Sequence, residues 1–187
     1  MRKNSRKKII VLGLGYIGLP TAALFARNGF LVCGVDIDRE KIQKLKKGVL
    51  PLEEPGLDVL FAKAKKNMTF STEIEGGDVY IIAVPTPLDS KKKKSDLSFV
   101  RSACLSVASV IKDGDLVILE STVPPGTAVT VCDSILKKNK NGATYYLAHA
   151  PERAFPQKTL TEMVHNDRII GGVTKGAAER AGELYRS

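Results

Sequence analysis

The segment GLGYIGLP, residues 13–20, decides the fold of this chain. An apolar, β-branched run precedes it at residues 8–12, and a run of small apolar residues at helical spacing follows it at 21–26. Between a strand and a helix, a Gly-x-Gly-x-x-Gly turn lets the backbone approach a pyrophosphate, which then lies at the helix N-terminus. The sequence therefore predicts a dinucleotide-binding turn built on three glycines, Gly13, Gly15 and Gly18.

An acidic residue at the end of the next predicted strand, residues 31–36, indicates which dinucleotide is bound. Asp36 follows Gly18 at close to the spacing of about 20 residues at which a carboxylate accepts hydrogen bonds from an adenosine ribose. A carboxylate there repels a 2′-phosphate, so the sequence favours NAD over NADP. Asp36 or Asp38 could instead cap the helix that begins near Arg39. We assign the ribose role to Asp36 and the cap to Asp38.

Predicted strands and helices alternate along the chain. Apolar runs indicate strands at residues 8–12, 31–36, 68–71, 78–84, 115–120, 144–149 and 168–172. After the first helix, apolar residues at helical spacing indicate helices at 40–47, 56–66, 98–112, 127–138 and 174–185. This alternation is typical of an α/β fold with a Rossmann-like, doubly wound, mostly parallel sheet and helices on both faces. We expect the Rossmann core over about residues 7–150 and an extension over 151–187 that includes the start of a linking helix.

Hydroxyl-bearing residues follow two of the predicted strands at their carboxyl ends. Thr86 lies between two prolines after strand 78–84, and Ser121 and Thr122 follow strand 115–120. Prolines hold the neighbouring chain extended, and ligands of doubly wound sheets bind outside the carboxyl ends of the strands. Helix capping is the alternative role for such hydroxyls. Their presence at two strand ends together favours a ligand-binding edge.

Charge and hydropathy limit the classes of partner. The net charge is +9, but most of the excess lies at the N-terminus and in the lysine run at 91–94, which we interpret as an exposed loop tip. No aromatic residues alternate with these lysines, so nucleic acid is not predicted as a partner. No apolar run approaches the ~20 residues that span a bilayer, and no signal peptide is recognisable. We expect a cytoplasmic protein without a membrane partner.

The cysteines do not indicate a reactive site. Cys33, Cys104 and Cys132 are too few and too scattered for a disulfide framework or a zinc site. Each lies in or beside an apolar segment, which favours buried packing. A nucleophilic cysteine would need an adjacent base or a helix N-terminus, and the sequence shows neither. No metal is predicted.

A series of short motifs occurs in order between residues 9 and 172: GLGYIGLP, VDID, PLEEPGL, IIAVPTP, ESTVPPGT, APER and NDRIIGG. This ordered set resembles the UDP-glucose/GDP-mannose dehydrogenase family, read from its N-terminal NAD-binding domain. Within that family, the Pro-Glu-Arg element followed by Asn-Asp-Arg and a glycine pair is most similar to the UDP-N-acetyl-D-mannosamine dehydrogenases. The UDP-N-acetylglucosamine dehydrogenases share the Pro-Glu-Arg element.

The resemblance implies oxidation of the C6 hydroxymethyl group of a UDP sugar, here UDP-N-acetylmannosamine, to a carboxylate with two NAD molecules. It implies a cofactor-binding set that consists of Gly13, Gly15, Tyr16, Ile17, Gly18, Asp36, Lys41, Val84, Pro85, Thr86, Ser121 and Thr122. Tyr16 and Ile17 would lie against the pyrophosphate, and Asp36 and Lys41 would contact the adenosine ribose.

The same resemblance implies the residues near the reacting carbon. Thr86 and Thr122 would approach the nicotinamide side of the cofactor. Thr122 and Glu152 are the implied catalytic residues, because a hydroxyl can orient water and a carboxylate can accept protons. Arg153 and Ala154 would reach toward the sugar. The full-length enzyme is expected to be a homodimer with a UDP sugar as its substrate.

Two positions depart from the family pattern. Many relatives carry a second glutamate four residues after the first, where this chain has Pro156, and Gln157 stands where the N-acetylated-sugar branch usually has glycine. In the family, the thioester-forming cysteine lies downstream in a Gly-Gly-x-Cys context, and none of the cysteines here has that context. We expect this chain, without the central helical and C-terminal UDP-binding domains, to bind NAD but not to complete the oxidation alone.

Other functions stay open at this point. The domain could belong to a UDP-N-acetylglucosamine or UDP-glucose dehydrogenase. A β-hydroxyacid dehydrogenase also combines a Gly-x-Gly-x-x-Gly turn with Ser-Thr at a later strand end. A nucleotide-binding module without chemistry is the third alternative.

Overall fold

The structure is a computed structural model that describes residues 7–89, 93–138 and 141–187. Its strands are β1 (Lys8–Leu12), β2 (Leu31–Val35), β3 (Met68–Ser71), β4 (Val79–Ile82), β5 (Leu88–Asp89), β6 (Lys94–Ser95), β7 (Asp115–Leu119), β8 (Tyr145–His149) and β9 (Gly171–Gly172). Its helices are α1 (Gly18–Arg27), α2 (Arg39–Lys47), α3 (Leu57–Ala64), α4 (Ser98–Val110), α5 (Ser134–Leu136), α6 (Thr159–His165) and α7 (Lys175–Arg186). A 3₁₀ turn at Lys65–Asn67 follows α3, and a π-helical segment at Ala128–Asp133 leads into α5.

Seven strands form one sheet in the order β3-β2-β1-β4-β7-β8-β9. Neighbouring strands pair in parallel except β9, which is antiparallel to β8. The chain builds outward from β1 to β3 and then crosses back to β4, so β1 and β4 flank the topological switch point where such sheets bind ligands. The predicted Rossmann-like, mostly parallel sheet is confirmed.

Each face of the sheet is covered by its own apolar core. Because side chains alternate along a strand, Ile9 and Val11 of β1 pack in one core with residues of α1, α3 and α7. Ile10 and Leu12 pack in the other core with residues of α4 and α5. Both faces of β1 are therefore buried, which explains the unbroken apolar run that precedes the glycine turn.

The three glycines of the turn meet three different constraints. Gly13 has a φ of 90°, and a Cβ there would lie 2.6 Å from the carbonyl oxygen of Ala83. A Cβ on Gly18 would lie only 1.8 Å from the carbonyl oxygen of Gly13, because α1 begins directly against the turn. A Cβ on Gly15 would meet no atom within 4 Å. Gly13 and Gly18 thus build the turn, and Gly15 leaves open space in front of it.

Most predicted elements are present with small shifts at their ends, but one predicted strand is shorter than expected and one predicted helix differs in type. The strand predicted at 168–172 is limited to Gly171–Gly172, because Arg168 leaves the sheet and its guanidinium contacts two carboxylates. The helix predicted at 127–138 begins as a π-helix. There Thr130 and Ser134 donate their hydroxyls to carbonyls four residues earlier, at 3.0 Å each, and this competes with regular α-helical bonding.

Two elements have no counterpart among the predicted ones, namely α6 and the β5–β6 hairpin. The start of α6 depends on a distant group, because Glu54 accepts a hydrogen bond from the N–H of Thr159 at 2.7 Å. Local sequence patterns do not show such a contact. In the hairpin, Lys94 lies in β6, although we expected it in a loop tip. Lys91 and Lys92 of that expected loop tip lie outside the described residues.

The three cysteines are free and buried, as predicted. Burial raises the pKa of the Cys33 thiol to about 11, so this thiol stays protonated at neutral pH. Across residues 7–89, 93–138 and 141–187, no helix combines the length and the apolar character needed to cross a membrane.

The unequal surroundings of Gly15 and Gly18 predict unequal effects of one added methyl group. We expect Gly18→Ala to destabilise the protein by about 3 kcal/mol or more, because the new Cβ collides with backbone that cannot move aside. Thermal unfolding should show this as a fall in Tm of roughly 6 °C or more. Gly15→Ala is the matched control, and its Tm should stay within about 2 °C of the wild-type value. Equal Tm values for the two variants would contradict this account of the turn.

Candidate functional site

A cavity of about 650 Å³ lies at the carboxyl edge of the sheet. The strand register makes four strand ends level there, because Leu12 pairs with both Val35 and Ile82, and Ile82 pairs with Leu119. The residues that directly follow these strands therefore converge on one edge. They are Gly13, Asp36, Ala83 and Glu120, and all of them line the cavity.

The cavity brings together all but three of the predicted site residues. The lining includes Gly13, Gly15, Tyr16, Ile17, Asp36, Lys41, Val84, Pro85, Thr86, Ser121, Thr122 and Glu152. Gly18 lies behind the turn, where its lack of a side chain lets α1 approach. Arg153 and Ala154 are not part of the lining, and the exposed Arg153 guanidinium instead donates to the carbonyl oxygen of Asp167 at 3.1 Å.

The Asp36 carboxylate is held at one end of the cavity by three donors. The backbone N–H groups of Leu14 and Asp38 donate to it at 2.9 and 3.0 Å, and the Lys41 ammonium lies 2.6 Å from Oδ2. Burial raises the pKa of Asp36, but the hydrogen bonds from Lys41 and the two N–H groups outweigh burial, so this pKa lies below its ordinary value. Asp36 is therefore an ionised acceptor at neutral pH. Asp38 caps α2 by accepting from the Lys41 N–H at 3.0 Å, as predicted.

The hydroxyls at the ends of β4 and β7 have different tasks. Thr86 Oγ1 donates to the carbonyl oxygen of Thr122 at 2.7 Å, and Ser121 Oγ donates to the carbonyl oxygen of Val84 at 2.7 Å. These two bonds tie the strand ends together. The Thr122 side chain is exposed and makes no side-chain hydrogen bond within the described part of the chain. Of the three predicted hydroxyls, Thr122 is the one whose proton is free for a ligand.

Glu120 is a buried carboxylate that we did not predict as a site residue. It accepts hydrogen bonds from Thr21 at 3.0 Å, Arg168 at 2.7 Å and Tyr185 at 3.2 Å. Burial raises the pKa of Glu120, while Arg168 and the hydroxyl donors oppose that rise. In the sequence, only its position directly before Ser121, a predicted site residue, could have indicated that Glu120 belongs to the site. Its donors come from distant segments, which the fold alone brings together.

Glu152 lies on the cavity wall at the end opposite to Asp36. Its Oε1 accepts the N–H groups of Arg153 at 2.8 Å and Ala154 at 3.1 Å. Its Oε2 accepts from the Arg168 guanidinium. The cavity therefore has a carboxylate after β2 and another after β8, and Thr122 follows β7, the strand next to β8.

The rest of the lining is mainly apolar or small. The residues that we did not predict are Leu12, Leu14, Val35, Ile37, Asp38, Thr72, Ile74, Ala83, Phe99, Ser102, Ala103, Ser106 and Glu120. Several elements contribute them, and no motif joins them. An apolar wall with a few polar groups at its ends is typical of a site for a cofactor-sized molecule.

Comparison with known proteins agrees with this geometry. Residues 7–187 match the family described as UDP-glucose/GDP-mannose dehydrogenase family, NAD binding domain. The chain belongs to this family. The match covers nearly the whole chain, and it decides against a β-hydroxyacid dehydrogenase as the parent enzyme.

Two relatives and one solved structure are similar to this chain over nearly its whole length. The chain is 46% identical over 186 residues to a UDP-N-acetyl-D-mannosamine dehydrogenase from Methanococcus maripaludis, and the match covers 97% of this chain and 42% of the relative. A UDP-N-acetyl-mannosamine dehydrogenase structure from Staphylococcus aureus superposes with a TM-score of 0.90 at 43% identity, over 96% of this chain and 45% of that one. An NDP-N-acetyl-D-galactosaminuronic acid dehydrogenase from Ralstonia nicotianae is 41% identical, over 96% of this chain and 45% of the relative. The chain thus spans less than half the length of these relatives.

The residues present fit NAD, the cofactor of this family domain. Gly15 leaves space for a pyrophosphate, which no Cβ obstructs. Asp36 is an ionised acceptor, as a hydrogen bond from an adenosine ribose hydroxyl requires, and Lys41 lies beside it. The cavity volume of about 650 Å³ lies within the range of cofactor pockets.

The loop after Glu152 is attached to the PLEEPGL motif through one buried carboxylate. Glu54 accepts the N–H groups of Gln157 at 2.9 Å and Thr159 at 2.7 Å. Gln157 has a φ of 67°, in the left-handed region that glycine adopts most easily. The position at which the family branch usually has glycine is therefore held in a glycine-like conformation here. Glu54 bonds to the N–H of this strained residue and to the N–H two residues after it.

This contact predicts a specific loss of stability. We expect Glu54→Ala to lower the free energy of unfolding by about 1–3 kcal/mol, because the buried N–H of Thr159 and the partly buried N–H of Gln157 lose their acceptor. Urea denaturation monitored by circular dichroism measures the change. The neighbouring Glu53 is exposed, so Glu53→Ala is a matched control and should change the free energy of unfolding by less than about 0.5 kcal/mol. Similar values for both variants would show that Glu54 does not hold this loop.

Proposed function

We propose that this chain is the cofactor-binding part of an enzyme that oxidises the C6 hydroxyl of UDP-N-acetylmannosamine to the uronate with two NAD molecules. One observation carries the proposal. A single cavity is lined by an NAD-type turn and Asp36, which follow β1 and β2, and by Thr122 and Glu152, which follow β7 and β8 further along the sheet edge. Relatives named UDP-N-acetyl-D-mannosamine dehydrogenase at 46% and 43% identity support the choice of sugar.

The turn and Asp36 serve to bind and orient the cofactor. When bound, NAD supplies the acceptor for a hydride. The N-terminus of α1 and the open backbone at Gly15 would hold the pyrophosphate, where the helix dipole favours negative charge. Asp36 and Lys41 would hold the adenosine ribose. Because Asp36 is ionised and buried, it would exclude a phosphate on that ribose.

Thr122 and Glu152 would act on the groups that take part in the reaction. The free Thr122 hydroxyl can donate a hydrogen bond, and the Glu152 carboxylate can accept one, so together they can orient a water molecule or a substrate hydroxyl. Glu152 can then take up a proton from that group. Arg153 and Ala154 would contact the sugar from the loop beside the cavity.

The remaining parts of the proposal concern the whole enzyme. The thioester-forming cysteine would be supplied by a part of the enzyme outside this chain, as would the domain that binds UDP. The complete enzyme would act as a homodimer in the cytoplasm. The 41% identity to an NDP-N-acetyl-D-galactosaminuronic acid dehydrogenase makes an N-acetylgalactosamine-type nucleotide sugar the second candidate substrate.

Cofactor choice can be tested on this chain alone. We expect NAD to bind at least about tenfold more tightly than NADP, because Asp36 faces the 2′-phosphate as a like charge. Asp36→Asn keeps the shape of the side chain and should weaken NAD binding by about 1–2 kcal/mol while reducing the preference for NAD. Isothermal titration calorimetry measures both.

The exposed Asp58 of α3, which is not part of the cavity lining, allows a matched control. Asp58→Asn should leave both affinities unchanged. Equal affinity of the wild-type chain for NAD and NADP would refute the role of Asp36.

The oxidation is tested on the enzyme that contains this chain. With NAD and UDP-N-acetylmannosamine, it should form NADH, measured at 340 nm, with a kcat/KM at least about tenfold above that for UDP-N-acetylglucosamine, UDP-N-acetylgalactosamine or UDP-glucose. The isolated 187-residue chain should bind NAD but form no NADH in steady state. Sustained NADH formation by the isolated chain would show that the downstream residues are not needed.

A further inference from the structure

One guanidinium joins two carboxylates of residues that line the cavity. Arg168 Nη1 donates to Glu120 Oε1 at 2.7 Å, and Arg168 Nη2 donates to Glu152 Oε2. Nη1 also lies 3.3 Å from the carbonyl oxygen of Ala150. The Arg168 side chain is only 14% exposed, and those of Glu120 and Glu152 are 0% and 7% exposed. This is a buried ionic cluster that contributes Glu120 and Glu152 to the cavity wall.

The Arg168 guanidinium is itself held in place from several sides. Glu120, its first partner, is anchored by hydroxyls of Thr21 and Tyr185. The ring of Tyr185 also stacks under the guanidinium, with Cζ 4.3 Å from the ring centroid. These contacts come from α1, the end of β7 and α7. The guanidinium therefore has little freedom to follow movements of Glu152.

The Glu152 carboxylate has little hydrogen-bonding capacity left for a ligand. A carboxylate has about four lone-pair positions for hydrogen bonds. Two backbone N–H groups, from Arg153 and Ala154, occupy Oε1, and Arg168 occupies one position on Oε2. One acceptor position remains, and it belongs to the oxygen that Arg168 holds. The orientation of that position depends on Arg168.

We propose that Arg168 is a positioning residue that holds Oε2 of Glu152 so that its remaining lone pair faces the cavity, with Glu120 as the buried anchor of the guanidinium. The consequence for turnover rests on the proposed function, in which Glu152 accepts a proton. The orientation of Glu152 itself does not rest on it. An arginine suits this task because its planar fork presents two N–H arms to two partners at once.

The most informative variant is Arg168→Lys. Removal of the whole side chain would leave two buried carboxylates without their cation, and this could unfold the protein. Lysine keeps the charge beside Glu120 but is a single point donor, which cannot reproduce the fork. Arg180→Lys is the matched control, because Arg180 stacks on Tyr146 and donates to the Gly114 carbonyl oxygen, away from the cavity.

The first measurement is amide hydrogen exchange by NMR on this chain, which needs no substrate. We expect Arg168→Lys to accelerate exchange of the Arg153 and Ala154 amides at least about tenfold, because their acceptor loses its fixed orientation. The Leu14 amide donates to Asp36 at the other end of the cavity, and its exchange should not change. Arg180→Lys should change none of these amides.

Two exchange results would overturn the proposal. Unchanged exchange at Arg153 and Ala154 would show that Glu152 is oriented without Arg168. Equal acceleration at Leu14 would show that Arg168 only contributes to global stability.

The second measurement is steady-state kinetics of the enzyme that contains this chain. Arg168→Lys should lower kcat at least about tenfold while KM for NAD and for the UDP sugar stays within about twofold, because the lost orientation matters after binding. Glu152→Gln should lower kcat as well. A normal kcat for Arg168→Lys beside a low kcat for Glu152→Gln would overturn the catalytic consequence. Wild-type enzyme that oxidises no UDP sugar would refute the proposed function instead, and amide exchange would then decide the positioning alone.

Discussion

The close approach of α1 to the turn after β1 is the constraint on which the rest of the structure depends. A Cβ on Gly18 would lie 1.8 Å from the carbonyl oxygen of Gly13, so the helix can begin there only without a side chain. This approach points the N-terminus of α1 at the carboxyl edge of the sheet. It also brings Thr21 of α1 close enough to bond the buried carboxylate of Glu120. One backbone contact thus shapes both the cofactor turn and the charged cluster behind it.

The site forms because the strand register aligns the carboxyl ends of β2, β1, β4 and β7 at one edge of the sheet. Parallel strands carry their carboxyl ends to one edge, and the switch between β1 and β4 opens a crevice there. Asp36, Thr122 and Glu152 reach the crevice from three separate segments. Two hydroxyls, those of Thr86 and Ser121, stabilise the crevice by tying the end of β4 to the end of β7. The site is therefore a property of the sheet register.

Local patterns were enough to predict the features that depend only on neighbouring residues. The apolar run of β1, the glycine turn and the Asp38 cap of α2 each lie within a few residues of their cause. Helix α6 could not be predicted in the same way, because the N–H of Thr159 bonds to Glu54 across 105 positions of sequence. The length of the strand near Arg168 was overestimated for a similar reason. The apolar residues after Arg168 suggested a strand from 168, but the Arg168 guanidinium bonds to Glu120 and Glu152 from distant segments.

The sequence by itself determined the family, the sheet, the NAD-type turn and about half of the residues that line the cavity, because short motifs encode turns and strand ends whose geometry is local. Only the tertiary structure decided which hydroxyl is free, since Thr86 and Ser121 use their protons on carbonyls of another strand. It also decided the contacts of Arg168, whose guanidinium joins Glu120 to Glu152 from a distant segment of the chain. A buried charge needs partners, and folding alone determines which groups are near enough to be those partners.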